Sequence, residues 1–377
     1  MKYLAYLLIV VFFCFSCKKK ENIKHDYLKV SKNGRYLEDS NGKPFLYLGC
    51  TAWELFHRLN REEAVEYLQN RKEKGFTVIQ AVVLSESDGL RTTNAYGEFA
   101  LNDFNPEKPN EKYFEHIDFV VNKAEELGLY IGMLPTWGDK VPNIIGGYGP
   151  IIFTPENARN YGEFLGKRYK DKPIIWILGG DRNVDSDTTY NIWKNMAEGL
   201  KAGDQGKHLI SYHPRGVHSS SYWLHNEEWI DFNMYQTAHF HRYQKVYENA
   251  MDDYSLLPVK PTMDAEPAYE DMPMEFWLFD WTSKKRRFAI LTICLSKGIF
   301  TKMDFSPIMM CVYMPIGTYS RGLVDILMAT MRFSRCLKKE VKLASPVYMI
   351  GANQWIVRVP MIYAMCASFS KPGIFRN

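Results

Sequence analysis

The stretch Ile174-Ile175-Trp176-Ile177-Leu178-Gly179-Gly180-Asp181-Arg182-Asn183 is an apolar run that stops abruptly at an acid and a base. It lacks the in-out alternation of a half-exposed strand, so it reads as a strand covered on both faces, as in a parallel sheet. Similar runs recur at Phe45–Gly49, Thr77–Leu84, Leu129–Thr136, His208–Tyr212, Ile230–Gln236 and Val259–Asp264, with the central one spanning Pro173–Gly179. Amphipathic patterns lie between them at Arg61–Lys74, Glu111–Leu127, Pro155–Tyr169, Thr188–Ala202 and Phe240–Tyr254. Asn60 and Thr154, the latter followed by Pro155, stand where capping side chains start a helix. Seven strand–helix units can be counted, and an eighth strand is expected near Gly298–Asp304. The predicted fold class is α/β, a (β/α)8 TIM barrel whose last unit is incomplete and whose C-terminal β-domain is missing or damaged. An open doubly wound sheet is disfavoured because no G-x-G-x-x-G follows the first strand, and Gly146-Gly147-Tyr148-Gly149 reads as a flexible loop.

In a parallel barrel the chemistry sits just beyond the C-terminal ends of the strands. Those positions hold Thr51, Trp53 and Glu54; Glu86; Trp137 and Asp139; Asp181, Arg182 and Asn183; His213 and Arg215; Tyr235, Gln236 and His239; and Glu266 and Tyr269. Two carboxylates stand out. Asp181 closes the central run and Glu266 closes Pro261–Ala265, and with units of about 30 residues they belong on strands four and seven, facing across the mouth. Glycoside hydrolysis uses such a pair, one group protonating the departing oxygen and the other attacking or activating water. A gap near 5–5.5 Å means retention and about 6.5–9.5 Å means inversion, which sequence leaves open. Arg182 either holds a carboxylate ionised or clamps an anionic substrate, according to its direction. Asp264 neighbours the site because residues two apart share a strand face.

Leu48-Gly49-Cys50-Thr51-Ala52-Trp53-Glu54-Leu55-Phe56, Pro135-Thr136-Trp137-Gly138, Trp176–Asn183, Tyr212-His213-Pro214-Arg215-Gly216 and Asp264-Ala265-Glu266-Pro267-Ala268-Tyr269-Glu270 arrive in one order over residues 28–280. Together they resemble the apiosidase-like glycoside hydrolases of family 140, which carry the domain of unknown function 4038. The resemblance implies a retaining mechanism with Asp181 as general acid/base and Glu266 as nucleophile. It also implies action on apiose linked to galacturonic acid in pectic side chains, where Arg182 and Arg215 would meet the uronate. Cys50 departs from the polar residue expected there. From Trp281 onward the family's pattern gives way to a Met-, Ile- and Cys-rich stretch, so the expectation is a frame shift or truncation beyond about residue 281.

Other chemistries find less support. Asp181, Asn183, Asp185 and Asp187 alternate like calcium ligands, but Ser186 and Ile192 occupy the positions of the EF-hand glycine and glutamate. His239-Phe240-His241 lacks the H-E-x-x-H of a zinc hydrolase, no G-x-S-x-G elbow is present, and Ser219–Ser221 reads as a polar loop. No metal and no cofactor is expected. Trp176 belongs to the core, Trp53 and Trp137 are candidates for lining a sugar subsite, and Glu54 and Glu270 are supporting or surface groups. The aromatic content, 15% with nine Trp and 24 Tyr, suits a sugar-binding cleft without proving one.

At the N-terminus, Lys2 precedes an apolar run, Tyr3–Phe15, too short to span a bilayer. Phe15-Ser16-Cys17 resembles a lipobox, which makes residues 1–16 a signal peptide and Cys17 the lipidated first mature residue. A tether at 17–27, including Lys18–Lys20, a barrel at 28–305 and an aberrant region at 306–377 complete the expected organisation. The chain is then anchored to the cell envelope with a plant polysaccharide or oligosaccharide as partner. Beyond Cys14 and Cys17, the cysteines Cys50, Cys294, Cys311, Cys336 and Cys366 form no paired framework. The formal net charge of +4 over 377 residues gives nucleic-acid binding no support. The competing reading is a glycan-binding surface lipoprotein that has lost catalysis.

Overall fold

The computed structural model describes residues 25–86, 88–238 and 245–267. The expected eighth strand, the lipobox and the region after residue 281 lie outside these residues. A short antiparallel hairpin, β1 (Lys29–Val30) with β2 (Leu37–Glu38), precedes the main sheet. Five parallel strands then follow in chain order: β3 (Gly49–Thr51), β4 (Val78–Leu84), β5 (Tyr130–Thr136), β6 (Ile174–Gly179) and β7 (Ile210–His213). A further parallel pair, β8 (Asn233–Tyr235) and β9 (Thr262–Asp264), continues the order. Asp231 N donates to Ile210 O at 2.9 Å and Ser211 Oγ to Phe232 O at 2.6 Å, so β8 enters alongside β7. On the inside, Gln80 of β4 donates through Nε2 to Ala265 O, just past β9, at 2.9 Å. A side chain can bridge the second and seventh parallel strands only if the sheet is strongly curled, as a twisted parallel sheet with covered faces tends to be.

The helices α1 (Leu55–Arg58), α2 (Arg61–Glu73), α3 (Glu111–Glu126), α4 (Pro155–Tyr169), α5 (Asp187–Asp204), α6 (Ser221–Leu224) and α7 (Val246–Tyr254) connect the strands. The Asn60 side chain caps α2 and receives Glu63 in a reciprocal box, while Thr154 does the same with Asn157 ahead of Pro155. Buried residues of β4, β5 and β6 serve both sides of the sheet. Ile79, Ala81, Ile131, Met133 and Trp176 pack toward the helices, and Val78, Val82, Leu134, Ile175 and Ile177 pack in the interior. Trp176 is fully buried, as expected, and its indole N–H reaches Asp204 Oδ2 at 2.9 Å.

α4 and α5 meet through glycines spaced four apart. A Cβ on Gly199 would stand 2.1 Å from Arg159 O, and one on Gly203, Gly162 or Gly166 would stand 2.4 Å from a carbonyl of the facing helix. Side chains would therefore hold the helices apart, and the fixed backbones leave no room to relax.

Two expectations change. The first sheet strand is Gly49–Thr51 rather than Phe45–Gly49, because Phe45 N donates to Leu37 O at 2.9 Å and Pro44 bridges Glu38, which ties that segment to the hairpin. The last residues of the expected tether also pack on the body. His25 Nδ1 lies 2.8 Å from Glu125 Oε1, Asp26 O accepts from Tyr130 Oη at 2.6 Å, and Tyr27 Oη donates to Lys170 O at 3.2 Å.

Candidate active site

Counted along the parallel strands, β6 is the fourth and β9 the seventh, so Asp181 and Glu266 stand where their spacing placed them. The chain delivers Asp181 through three consecutive left-handed residues: Gly179 (φ 88°), Gly180 (φ 104°) and Asp181 itself (φ 54°). A Cβ on Gly179 would lie 2.4 Å from His213 O, and one on Gly180 2.8 Å from the Trp137 ring, so both positions require glycine. Aspartate is among the few residues that tolerate this region, at a cost of about 1–3 kcal/mol. The Gly-Gly before the acid is the sequence feature that marks this turn, although the apolar run alone did not reveal it.

Donor atoms of Asp181, His213 and Glu266 all lie within 4.8 Å of one another. The two carboxylates therefore converge. His213, fully buried at the end of β7, places Nε2 3.3 Å from Glu266 Oε2, and Gln236 donates through Nε2 to the same oxygen at 2.7 Å. Among the described residues Asp181 Oδ1 has no hydrogen-bond partner. Burial and then the Glu266 charge push the Asp181 carboxyl up to about 6, against the lowering pull of His213, Gln236 and Arg182. Burial by itself would lower the His213 imidazole, but the Glu266 bond and charge, with Asp181, leave it raised. One acid with raised affinity for its proton beside another held by donors is the division of labour that acid/base chemistry on a glycoside needs. An imidazole and two carboxylates this close are also a donor set that a divalent cation could accept.

Around this centre several expected ligand contacts are taken up by the protein. Trp53 and Trp137 are 2% and 4% exposed, with ring centroids 5.4 Å apart and 5.2 and 6.0 Å from His213. They wall in the imidazole rather than offering open faces to a sugar. Glu54 is buried, with one oxygen bound by Ser85 Oγ and the other by Arg58 Nε at 3.0 Å, so it braces the rim instead of meeting a ligand. Asp139 pairs with the fully buried Lys140 at 2.6 Å and accepts Gly149 N at 3.2 Å. The Arg182 guanidinium reaches Gly146 O and Asp181 O, and its charge pulls the Asp181 carboxyl down, the first of its two expected roles. Asn183 Oδ1 accepts Arg215 N at 3.2 Å, and the Arg215 side chain remains exposed. Tyr235 is fully buried in the interior cluster. His239, Tyr269, Glu270 and Cys17 lie outside the described residues.

Three groups carry more than the sequence assigned them. Glu86, just past β4, is half-buried, and burial followed by the charges of Glu54, Asp181, Glu266 and Asp139 pushes it up to about 8. Lys140 supplies a buried cation among these acids, its amine lowered by burial although Asp139, Glu86 and Glu54 oppose the shift. Asp264 accepts from Thr237 Oγ1 at 2.5 Å and from Glu266 N at 3.2 Å, and burial pushes it up to about 7. It lies beside the site and orients the segment that carries Glu266.

A curled parallel α/β sheet with two acids converging at its strand ends defines the class as a glycoside hydrolase catalytic domain. The apiosidase-like catalytic domain family matches residues 31–295, and the chain belongs to that family. Among solved structures, the chain is similar to a glycoside hydrolase family 5 protein from Bacteroides vulgatus, with 30% identity and a TM-score of 0.63. That alignment covers 78% of this chain and only 65% of the other. A second glycoside hydrolase, 28% identical with a TM-score of 0.63, is matched over 82% of this chain and 75% of its own. A family 5 mannosidase from Rhizomucor miehei, 12% identical, shares the fold at a TM-score of 0.52 over 73% of this chain and 83% of its own. A search of curated proteins gives no match.

Proposed function

We propose that the chain is a retaining glycoside hydrolase acting on apiose linked to galacturonic acid in pectic side chains. The observation that carries the mechanism is the convergence of Asp181 and Glu266, one carboxyl oxygen of each lying within 4.8 Å of the other, an approach that suits the closer, retaining arrangement. In the first step Glu266 attacks the anomeric carbon as the bond to the leaving oxygen breaks, and Asp181 gives that oxygen its proton. In the second step the Asp181 carboxylate takes a proton from water, the water oxygen bonds to the anomeric carbon, and Glu266 departs. Gln236 and His213 hold the nucleophile in place. Arg215, whose side chain is exposed, and Arg182, half-buried beside Asp181, are the cations that would meet a uronate.

The catalytic domain is proposed to extend over residues 28–305, followed by an aberrant region at 306–377, and everything beyond residue 267 lies outside the described residues. Phe15-Ser16-Cys17 supports a lipid anchor on Cys17 and a place in the cell envelope. Mass spectrometry of the mature N-terminus tests the anchor, since an unmodified or uncleaved Cys17 ends that part.

Incubating the full chain with pectic oligosaccharides and analysing the released sugar tests the activity. Apiose release that falls by several orders of magnitude in Asp181→Ala and Glu266→Ala is expected. A folded chain that releases no sugar overturns the reading, and release of another sugar keeps the mechanism while discarding the substrate.

A further inference from the structure

The loop between β5 and α4 carries exposed apolar side chains beside the catalytic centre: Ile144 is 84% exposed, Tyr148 68% and Ile151 59%. Scattered apolar residues on a surface need no explanation, but a cluster next to a functional cleft does. The glycines here suggested a flexible loop, yet the backbone is tied at successive residues. Arg182, directly after Asp181, binds Gly146 O through Nε at 3.1 Å and Nη2 at 2.5 Å. Arg91 Nη1 donates to Tyr148 O at 3.1 Å, and Asp139 Oδ2 accepts Gly149 N at 3.2 Å. Gly147 is pressed so closely that a Cβ would lie 2.4 Å from Asp139 Cβ.

Tyr148 is thus bracketed by anchors whose owners, Arg182 and Asp139, stand at the ends of β6 and β5. Its ring is exposed while its backbone is fixed, which lowers the ordering cost of a contact. Trp53 and Trp137 cannot present ring faces, because they are buried against His213. A sugar ring offers an apolar C–H face and a hydroxyl edge, which an aromatic ring with a polar tip matches. From these relationships the geometry points to Tyr148 as the aromatic platform of a subsite for a pyranose ring of the glycan chain beyond the cleaved bond. The inference rests on the glycan-hydrolase reading for its ligand class, and Ile144 and Ile151 extend the apolar surface beside the platform.

The test uses the full chain, with pectic side-chain oligosaccharides as the probe. Binding is measured by calorimetry in the Glu266→Ala background, and turnover in the parent. Tyr148→Ala should weaken oligosaccharide binding about five- to tenfold, the scale of one aromatic contact. Tyr148→Phe, which keeps the ring, should restore binding. In turnover Tyr148→Ala should raise KM while kcat holds, the mark of binding shared by ground and transition states. Equal binding by Tyr148→Ala and its parent background overturns the subsite, as does absence of oligosaccharide binding by the Glu266→Ala chain. Weakened binding in a chain whose parent shows no turnover supports the subsite and removes the hydrolase reading, so the two failures are distinct.

Discussion

Gln236 donates its side-chain amide to Glu266 Oε2 at 2.7 Å, the same oxygen that His213 Nε2 approaches at 3.3 Å. Two strand-end residues thereby fix one carboxylate in direction. A hydrogen bond to a charged acceptor contributes about 1.5–3 kcal/mol, so Gln236→Ala should lower kcat/KM roughly 10- to 100-fold. Thermal unfolding run alongside should show a lowered midpoint, because the buried Glu266 carboxylate loses a donor, so rates are compared at a temperature where both chains are folded. A variant with full activity would mean that Glu266 is oriented by other means.

Asp181 supplies its proton only while protonated, and burial beside Glu266 pushes its carboxyl up to about 6. Rate should therefore fall on the alkaline side with an apparent pKa near that value. Asp181→Asn should lose most activity on a natural glycoside but retain far more on an activated aryl glycoside, whose leaving group needs no proton. Initial rates on both substrates across pH separate these outcomes, and equal losses on the two would remove Asp181 as the acid.

Glu86 affects stability with a definite sign. Its folded carboxyl, at about 8, holds a proton that the unfolded chain releases near the usual value of about 4.3, so the native state binds more protons between them. Stability should decline as pH rises through this window and level off above it. Glu86→Gln keeps a neutral side chain and should flatten the decline, read as a smaller difference in thermal midpoint between acidic and alkaline buffer than the parent shows. An unchanged difference would assign the slope to Asp264 or Asp181.

The crossing of α4 on α5 makes a contrary prediction for a substitution that usually stabilises helices. Alanine in place of an interior glycine gains about 1 kcal/mol from propensity, but at Gly199 its Cβ would stand 2.1 Å from Arg159 O. Overpacking costs typically about 1–3 kcal/mol, so Gly199→Ala should lower the denaturant midpoint rather than raise it. A rise would show that the helices can separate without loss.

Much of this was legible in the chain because strand ends and helix starts are local matters. The run Ile174–Leu178 needs cover on both faces whatever follows it, and the capping boxes at Asn60 and Thr154 need only residues three apart. The opposition of Asp181 and Glu266 followed from the repeat length of strand and helix, which sets how many strands separate two positions. The paired glycines of α4 and α5 were also written in the sequence, although nothing local said which backbone they would touch.

What only the folded chain decided was direction and burial. Arg182 turns to Gly146 and Asp181, Glu54 is enclosed by Ser85 and Arg58, and Trp53 and Trp137, which read as sugar-lining rings, close on His213 instead. Sequence spacing places a side chain at the mouth of a sheet. Whether it faces a ligand depends on partners brought from distant strands and on the water they exclude, as Glu86 demonstrates among acids from four other segments.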